Sequence, residues 1–456
     1  MRATVILRAD WREPVQVLAA CADEPFCIGL LSGGGELGRW SYVLNAPSEI
    51  LSIASDDRRD PFAVLQALLG ERAPNASDGP PFQGGLAGLM GYELGARIEP
   101  VGHQSHPDWP DLTCGLYLQV LAFDHHRREV VAVGRGKDEA EARARAQVAL
   151  QVLETAPPLA APPTGPLTPA FEVGTPGPVY EASVAEVVER ITNGEIFQAN
   201  IARAWGGRLT LGYRPFDLAR RLAAESPAPF ASYLRLPGQA VVSNSPERFI
   251  EVSDRGELHV ETSPIKGTRP RGDTPERDEA LKRELVACEK DRAENLMIVD
   301  LMRNDLSRVC PAGAVAVTEL FRVETFANVH HLVSTVTGRL APGLTAVDLF
   351  EASFPPGSIT GAPKIQAMKV IAQYEPPRGA FYGAMFWAGF DGGCDSNVLI
   401  RTVGFLQDAQ GWRFEARAGA GIVADSDPVQ ERLETEAKIA ALKGALLGHR
   451  ATGPGT

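Results

Sequence analysis

Lys266 stands between Ile265 and Gly267 in the stretch ETSPIKGTRPR, residues 261–271. A lysine beside a glycine at a strand exit can reach a cavity while the backbone comes close to a ligand. If its amine is neutral, it is a nucleophile. Arg269 and Arg271 add fixed positive charge nearby. The competing reading is an ordinary basic turn. Glu247 lies in SPERF, residues 245–249, ahead of the strand that leads to Lys266. An acid and an amine on neighbouring strands can serve as general acid and nucleophile, or simply form a salt bridge.

Carboxylates also come in pairs. Asp291 and Glu294 are three apart, as are Glu431 and Glu434, so each pair shares a helix face. Alone, each pair is a solvated face. If both faced one cavity, their repulsion would require a cation. A few hard oxygen ligands, completed by substrate and water, describe a Mg2+ site. Anion donors are present too: Arg401, Lys438 and the backbone N–H groups of Gly419, Ala420 and Gly421, read as a glycine-rich turn. A tight strand-to-helix connection explains the same glycines.

These residues need elements to hold them. A strand over Leu258 to Thr262 should stop at Pro264, which cannot donate to a ladder. Thr274 and Pro275 open a helix that runs in one or two pieces to about Asp305, carrying Asp291 and Glu294. Val398 to Val403 reads as a strand carrying Arg401, and Trp412 to Ala418 as another that runs into the glycines. Asp427 and Pro428 open the last helix, with Val429, Leu433, Ala437 and Ala440 as its apolar stripe. Glu431, Glu434 and Lys438 then lie on a different side. Pro363 marks another helix start after FPPGSITGA, and the lysine that follows lacks the spacing of a phosphate-binding loop.

Earlier in the chain, Thr4 to Leu7, Ser41 to Leu44 and Leu116 to Phe123 read as strands. Pro61 to Leu69 and Asp138 to Glu154 read as helices, as do Tyr180 to Asn193 and Asp217 to Ala224. The glycines of 33–38 lead straight into a strand, so they form a plain loop and not a dinucleotide motif. Residues 157–179 hold eight prolines and few charges. They divide an α/β region, 1–156, from a candidate catalytic region, 180–450.

Composition narrows the class. The chain has 456 residues and a net charge of -12, which argues against a general nucleic-acid or anionic-membrane surface. The six cysteines are scattered without a C-x-x-C pair, so neither a zinc knuckle nor a disulfide framework is suggested, and a reducing cytoplasmic setting fits. No apolar run approaches the roughly 18 residues of a membrane helix. The first dozen residues carry charges and no signal-peptide block.

Taken in order and spacing, these stretches resemble the chorismate-utilising enzymes. That family includes anthranilate synthase component I, aminodeoxychorismate synthase component I, isochorismate synthase and salicylate synthase. The resemblance rests on SPERF, PIKGT (264–268), DRAENLMIVDLMRNDL (291–306), HHLVS (330–334), GSITGAPK (357–364), IRT (400–402) and GAGIVADSDPVQERLET (419–435). GRWSYV (38–43) and GGLAGLMGYEL (84–94) match more loosely. PIKGT is similar to the aminodeoxychorismate branch, where the anthranilate branch resembles PIAGT.

The resemblance implies an α+β fold of two orthogonally packed β-sheets with helices on the outer faces, both halves of the chain contributing. It implies that Lys266 attacks C2 of chorismate while Glu247 protonates the departing C4 hydroxyl. Ammonia then adds at C4 and expels the lysine. Glu294 and Glu434 would hold Mg2+, with Glu431 and Asp291 supporting. Thr360, Arg401 and the amides of Gly419, Ala420 and Gly421 would position carboxylates. Gly267, Thr268, His331 and Lys438 complete the substrate-binding set. Trp387 is expected to replace a tyrosine that touches substrate in relatives. The lysine must be neutral, which Arg269, Arg271 or burial would favour. No cysteine sits in a G-x-C-x-G setting, so a separate glutamine amidotransferase subunit is implied as the ammonia source. Anthranilate synthase component I and a non-catalytic chorismate-binding subunit are the alternatives.

Overall fold

The computed structural model describes residues 3–34, 37–102, 104–158, 161–326 and 329–449. Two residues of the 33–38 loop and residues 159–160 of the proline-rich segment lie outside these.

Period-two alternation in the strand Gly411–Ile422 sets the layering. Phe414, Ala416 and Ala418 pack beneath helices, in a cluster with Phe216, Leu222, Ile439 and Leu442. Successive side chains of a strand point to opposite faces, so the odd positions face away from those helices. The strand belongs to an antiparallel sheet of twelve strands, and a second antiparallel sheet has ten. The smaller sheet buries its outer face against Ile298 and Met302 of the helix Glu289–Ser307 and against Phe350. A further cluster joins Tyr42 and Val241 of the larger sheet to Leu89, Met385 and Trp387 of the smaller one. The result is helix, sheet, sheet, helix: an α+β sandwich.

Both sheets draw on both sides of the proline-rich segment. Ala3–Asp10, Ile28–Leu31 and Trp40–Leu44 lie in the larger sheet, while Glu49–Ile53, Gly85–Met90 and Leu112–Tyr117 lie in the smaller. The proline-rich segment runs against the end of the last helix, where the Leu167 N–H donates to the Leu446 carbonyl at 2.8 Å.

Among the places where the chain crosses between sheets are Leu118, Pro246–Glu247 and Val398–Arg401. The last two crossings run side by side. The Val398 N–H donates to the Glu247 carbonyl at 3.1 Å, and the Asn244 N–H to the Arg401 carbonyl at 3.0 Å. Two strand expectations change here. Leu116 to Phe123 is not one strand but the end of Leu112–Tyr117 and the start of Gln119–Asp124, in different sheets. Leu118 between them is buried, as is Tyr117 before it, and the half-buried Gln119 alone interrupts the apolar run at the switch. Val398 to Val403 is not a strand throughout; the strand is Thr402–Asp408, and Arg401 precedes it with φ of 53°.

The helices follow their caps. Asp60 caps Pro61–Leu69, and Thr274 caps Pro275–Ala287, which breaks at Cys288 before Glu289–Ser307. The last helix, Pro428–Leu447, departs from the expected stripe. It buries Glu431, Thr435, Ile439 and Leu442, while Val429 and Leu433 are each 43% exposed. Ala437 and Ala440 are exposed as well. The first turns face a polar pocket instead of the apolar core.

Candidate active site

The strand Leu258–Thr262 ends before Pro264, as expected, but the chain resumes at once as Ile265–Pro270, paired with Val329–Arg339. Ile265 pairs with Val333 and Thr268 with His331, and the register slips between them. Lys266 and Gly267 form this bulge. Gly267 has φ of 84°, and a Cβ there would stand 3.0 Å from Asp291 Cγ, so both backbone and space demand glycine. A bulge re-aims a side chain, and here it points the Lys266 amine at the opposite sheet. A Cβ on Gly421 would lie 3.3 Å from Lys266 Nζ and would collide with Gln198.

Among the described residues, no hydrogen bond or ion pair reaches the Lys266 amine. Lys266 keeps part of its surface in the pocket, with the amine enclosed. Burial pushes that amine below the ordinary lysine range, and the Lys438 charge adds to the push, against Glu294, Glu247 and Glu434. The two arginines expected to help are occupied elsewhere. Arg269 pairs with Glu284 at 2.8 Å and Asp291 at 3.1 Å, and Arg271 with Asp278 at 2.8 Å.

Glu247 sits on the sheet crossing and is 4% exposed. Burial pushes its carboxyl above the usual range, opposed by the Ser358 hydroxyl, by Lys266 and by the Ile265 N–H. Ser358 Oγ donates to Glu247 Oε1 at 2.6 Å. Burial thus shifts both groups toward their neutral forms, the carboxyl upward and the amine downward.

The opposite wall is polar and under-satisfied. Gly419, Ala420 and Gly421 are not a turn: they lie inside the strand Gly411–Ile422, opposite Ala202, Ile201 and Asn200. Thr402–Asp408 pairs with this strand only as far as Ala416, so one edge at the glycines is open. Lys438 Nζ donates to the Gly419 carbonyl at 3.0 Å. Arg401 is partly open to the pocket, and no hydrogen bond or ion pair reaches its guanidinium among the described residues. Gln198 Oε1, Asn200 Oδ1 and the Tyr382 hydroxyl are buried without hydrogen-bond partners. Buried polar atoms are rarely left so, and several around one space mark where a polar ligand sits. His331 Nδ1 meets Thr268 Oγ1 at 2.9 Å; burial and the nearby Arg401 push its imidazole down to about 4, so it is neutral at pH 7. Thr360 is fully buried, with its hydroxyl donating to the Pro356 carbonyl at 2.9 Å.

The carboxylates converge from two helices. Glu294 is raised by burial and by Glu434, against Lys266 and Lys290; Glu431 is raised by burial and Glu434, against Ser426 and Lys290. Partial burial alone would raise Glu434, but Lys438, 2.5 Å away, and Lys266 hold it low. Lys290 stands 3.7 Å from Glu431 and 4.0 Å from Glu294. Asp291 lies apart, behind Gly267 with Arg269. Among the described residues no three acidic, histidine or cysteine side chains are grouped to hold an ion by themselves. Two hard oxygen donors with room for substrate and water remain, which suits Mg2+ and its reluctance to shed water.

Trp387 does not reach this pocket. Its ring lies 5.0 Å from Phe82 and 6.4 Å from Tyr42, in the core between the sheets. The tyrosine at the pocket is Tyr382, with φ of 64° and its hydroxyl 3.1 Å from where a Gly419 Cβ would stand. Tyr382, Gln198, Asn200, Ser358 and Lys290 were not singled out from sequence. The alternation of Gln198 and Asn200 around buried Ala199 and Ile201 was the available signal.

Comparison with known proteins gives the same picture. The family model for chorismate binding enzymes matches residues 30–444. An aminodeoxychorismate synthase component 1 from Klebsiella aerogenes is 43% identical over 364 residues, 79% of this chain and 76% of that protein. An anthranilate synthase component 1 from Streptomyces coelicolor is 38% identical, covering 91% of this chain and 82% of the relative. The crystal structure of anthranilate synthase component I from Streptococcus pneumoniae superposes with a TM-score of 0.77 at 30% identity, over 89% of this chain and 92% of that one. With the family model matched over most of its length, the chain belongs to the chorismate binding enzymes.

Proposed function

We propose that this protein is the chorismate-aminating subunit of an aminodeoxychorismate synthase, acting on the route to 4-aminobenzoate and folate. The observation that carries the reading is the Lys266 amine: buried, unpaired among the described residues, and set between Glu247 and the open glycine edge. The similarity to aminodeoxychorismate synthase component 1 proteins supports this branch.

In this reading Arg401, Tyr382, Asn200 and the Gly419–Gly421 edge bind the substrate's carboxylates and hydroxyl. Lys266 Nζ bonds to C2 as the C4–O bond breaks, and Glu247 gives its proton to the departing hydroxyl, which leaves as water. The proton lost by the alkylated amine restores Glu247. Ammonia bonds to C4, the C2–Nζ bond breaks, and one ammonia proton returns to the lysine. The sum is chorismate plus ammonia giving 4-amino-4-deoxychorismate plus water. Glu294 and Glu434, with Glu431 beside them, would hold Mg2+, which when bound supplies positive charge to a substrate carboxylate, while Asp291 is engaged by Arg269. His331 stays neutral and lines the ring site. A separate glutamine amidotransferase subunit would supply the ammonia. The six free thiols suit a cytoplasmic setting, and no helix among the described residues is long and apolar enough to cross a membrane.

The test is product identity. Chorismate, Mg2+ and ammonium should yield a non-aromatic amino product without pyruvate. Lys266→Ala should lower the rate by about 10³-fold or more. Anthranilate with pyruvate would assign the other branch, and full activity in Lys266→Ala would remove the covalent role.

A further inference from the structure

Ser358 touches neither Lys266 nor the glycine edge, yet it is fixed with unusual firmness. It lies in the single turn Gly357–Ile359, which is clamped from two sides. Gly357 sits against Leu301 and Met302 so closely that a Cβ would stand 3.0 Å from Leu301 Cγ. From the other side the buried Arg378 guanidinium donates to the Ile359 carbonyl at 3.2 Å and to the Asn200 carbonyl at 2.7 Å, while stacked near Tyr92 and Tyr382. A turn held this way keeps its side chains in place. Among the described residues the Ser358 hydroxyl, nearly fully buried, has one hydrogen-bond partner, Glu247 Oε1 at 2.6 Å.

We propose that Ser358 is a positioning residue for the general acid: by donating to Oε1 it fixes the carboxyl plane and leaves the transferable proton on Oε2. This rests on the acid role given to Glu247 above. A hydroxyl that donates to Oε1 leaves that oxygen unable to carry the proton on the same side. The proton is then borne by Oε2. Without Ser358 the carboxyl keeps only the Ile265 N–H, so its two oxygens are no longer distinguished by the hydroxyl and the proton can sit on either.

The same bond has a second effect with a definite sign. A hydroxyl donated to a carboxylate favours the ionised form. The other groups facing Glu247 act in the same direction: Lys266 on the adjoining strand, Lys438 on the last helix, Arg401 at the neighbouring crossing and the Ile265 N–H. Removing the hydroxyl leaves burial less opposed, so the acid should keep its proton to higher pH.

The experiment compares wild type, Ser358→Ala and Ser358→Thr, all in the full chain. Steady-state rates with chorismate, Mg2+ and ammonium are measured across pH 6–10. In parallel, the protonated-carboxyl infrared band, identified by its loss in Glu247→Gln, is titrated in each protein. In Ser358→Ala we expect kcat to fall about tenfold or more with KM changed far less. The alkaline limb and the infrared titration should both move upward by about one pH unit. Ser358→Thr, which keeps a hydroxyl, should restore both positions. An unmoved infrared titration in Ser358→Ala, even with a lower rate, overturns the proposal and leaves Ser358 a packing residue. The infrared titration does not depend on turnover. A wild type that forms no amino product would therefore count against the proposed function without deciding the Ser358–Glu247 contact. Thermal melts confirm folding; should Ser358→Thr not accommodate its methyl, Ser358→Ala carries the comparison alone.

Discussion

Burial of Lys266 penalises its protonated form. A lysine in an unfolded chain titrates near 10.4 (approximately), and the folded amine lies below this. Between the two values the unfolded chain binds more protons, so stability rises with pH across that window. Below the folded value the full penalty remains. Lys266→Met should therefore raise stability at pH 7 by about 1–2 kcal/mol while removing activity, and the gain should shrink toward pH 10. Urea denaturation at the two pH values measures this; equal stability at both would mean the amine is not desolvated. The lysine itself was legible because PIKGT combines a ladder-breaking proline, a lysine and a glycine. What lowers its pKa was not. Arg269 and Arg271 look free in sequence, yet the helix that opens just after them turns Glu284 and Asp278 back onto them. Tyr382 was missed because its role depends on a positive φ, which no side-chain pattern announces.

At the scale of elements, the last helix is the instructive one. Its sequence offers an apolar stripe through Val429 and Leu433, and its structure buries Glu431 and Thr435 instead. Helical periodicity identifies two faces; it does not say which is inside when the inside is a polar pocket. From Ile439 onward the helix returns to the apolar core. Ile439→Ala should cost about 2–5 kcal/mol. Leu433→Ala, on the exposed side, should stay within about 0.5 kcal/mol of wild type. Denaturant midpoints distinguish these, and a large loss at Leu433 would mean that face is covered. The glycines at 419–421 misled for a related reason. Glycine runs usually mark turns, but here the missing side chains make room for Lys266 and Gln198 beside a continuing strand. Helix starts, by contrast, were readable from local chemistry, since Asp60, Thr274 and Asp427 each cap with their own side chains.

For the whole molecule, the proline-rich segment separates regions of sequence whose strands share both sheets. Neither 1–156 nor 180–450 can complete a sheet without the other. Each expressed alone should lack a cooperative melt, and the full chain should unfold in a single transition. Two resolved transitions in the full chain would contradict this. The α+β class was legible from the mixture of strand and helix signals. The partition of strands between sheets was not, because a single polar residue, Gln119, in an apolar run does not mark a change of sheet.

The sheet crossings act as the spine of a book whose covers are the two sheets. Glu247 and Arg401 lie on that spine, joined through neighbouring backbone bonds. Glu294 and Glu434 hang from helices on the covers. When covers swing, points on the spine travel least. Any breathing of this protein would widen or narrow the rim where the glutamates stand, yet leave the spacing between acid and guanidinium nearly constant. The acid and the guanidinium therefore sit where the chain itself ties one sheet to the other, the part of the fold whose spacing is set by covalent bonds as well as by packing.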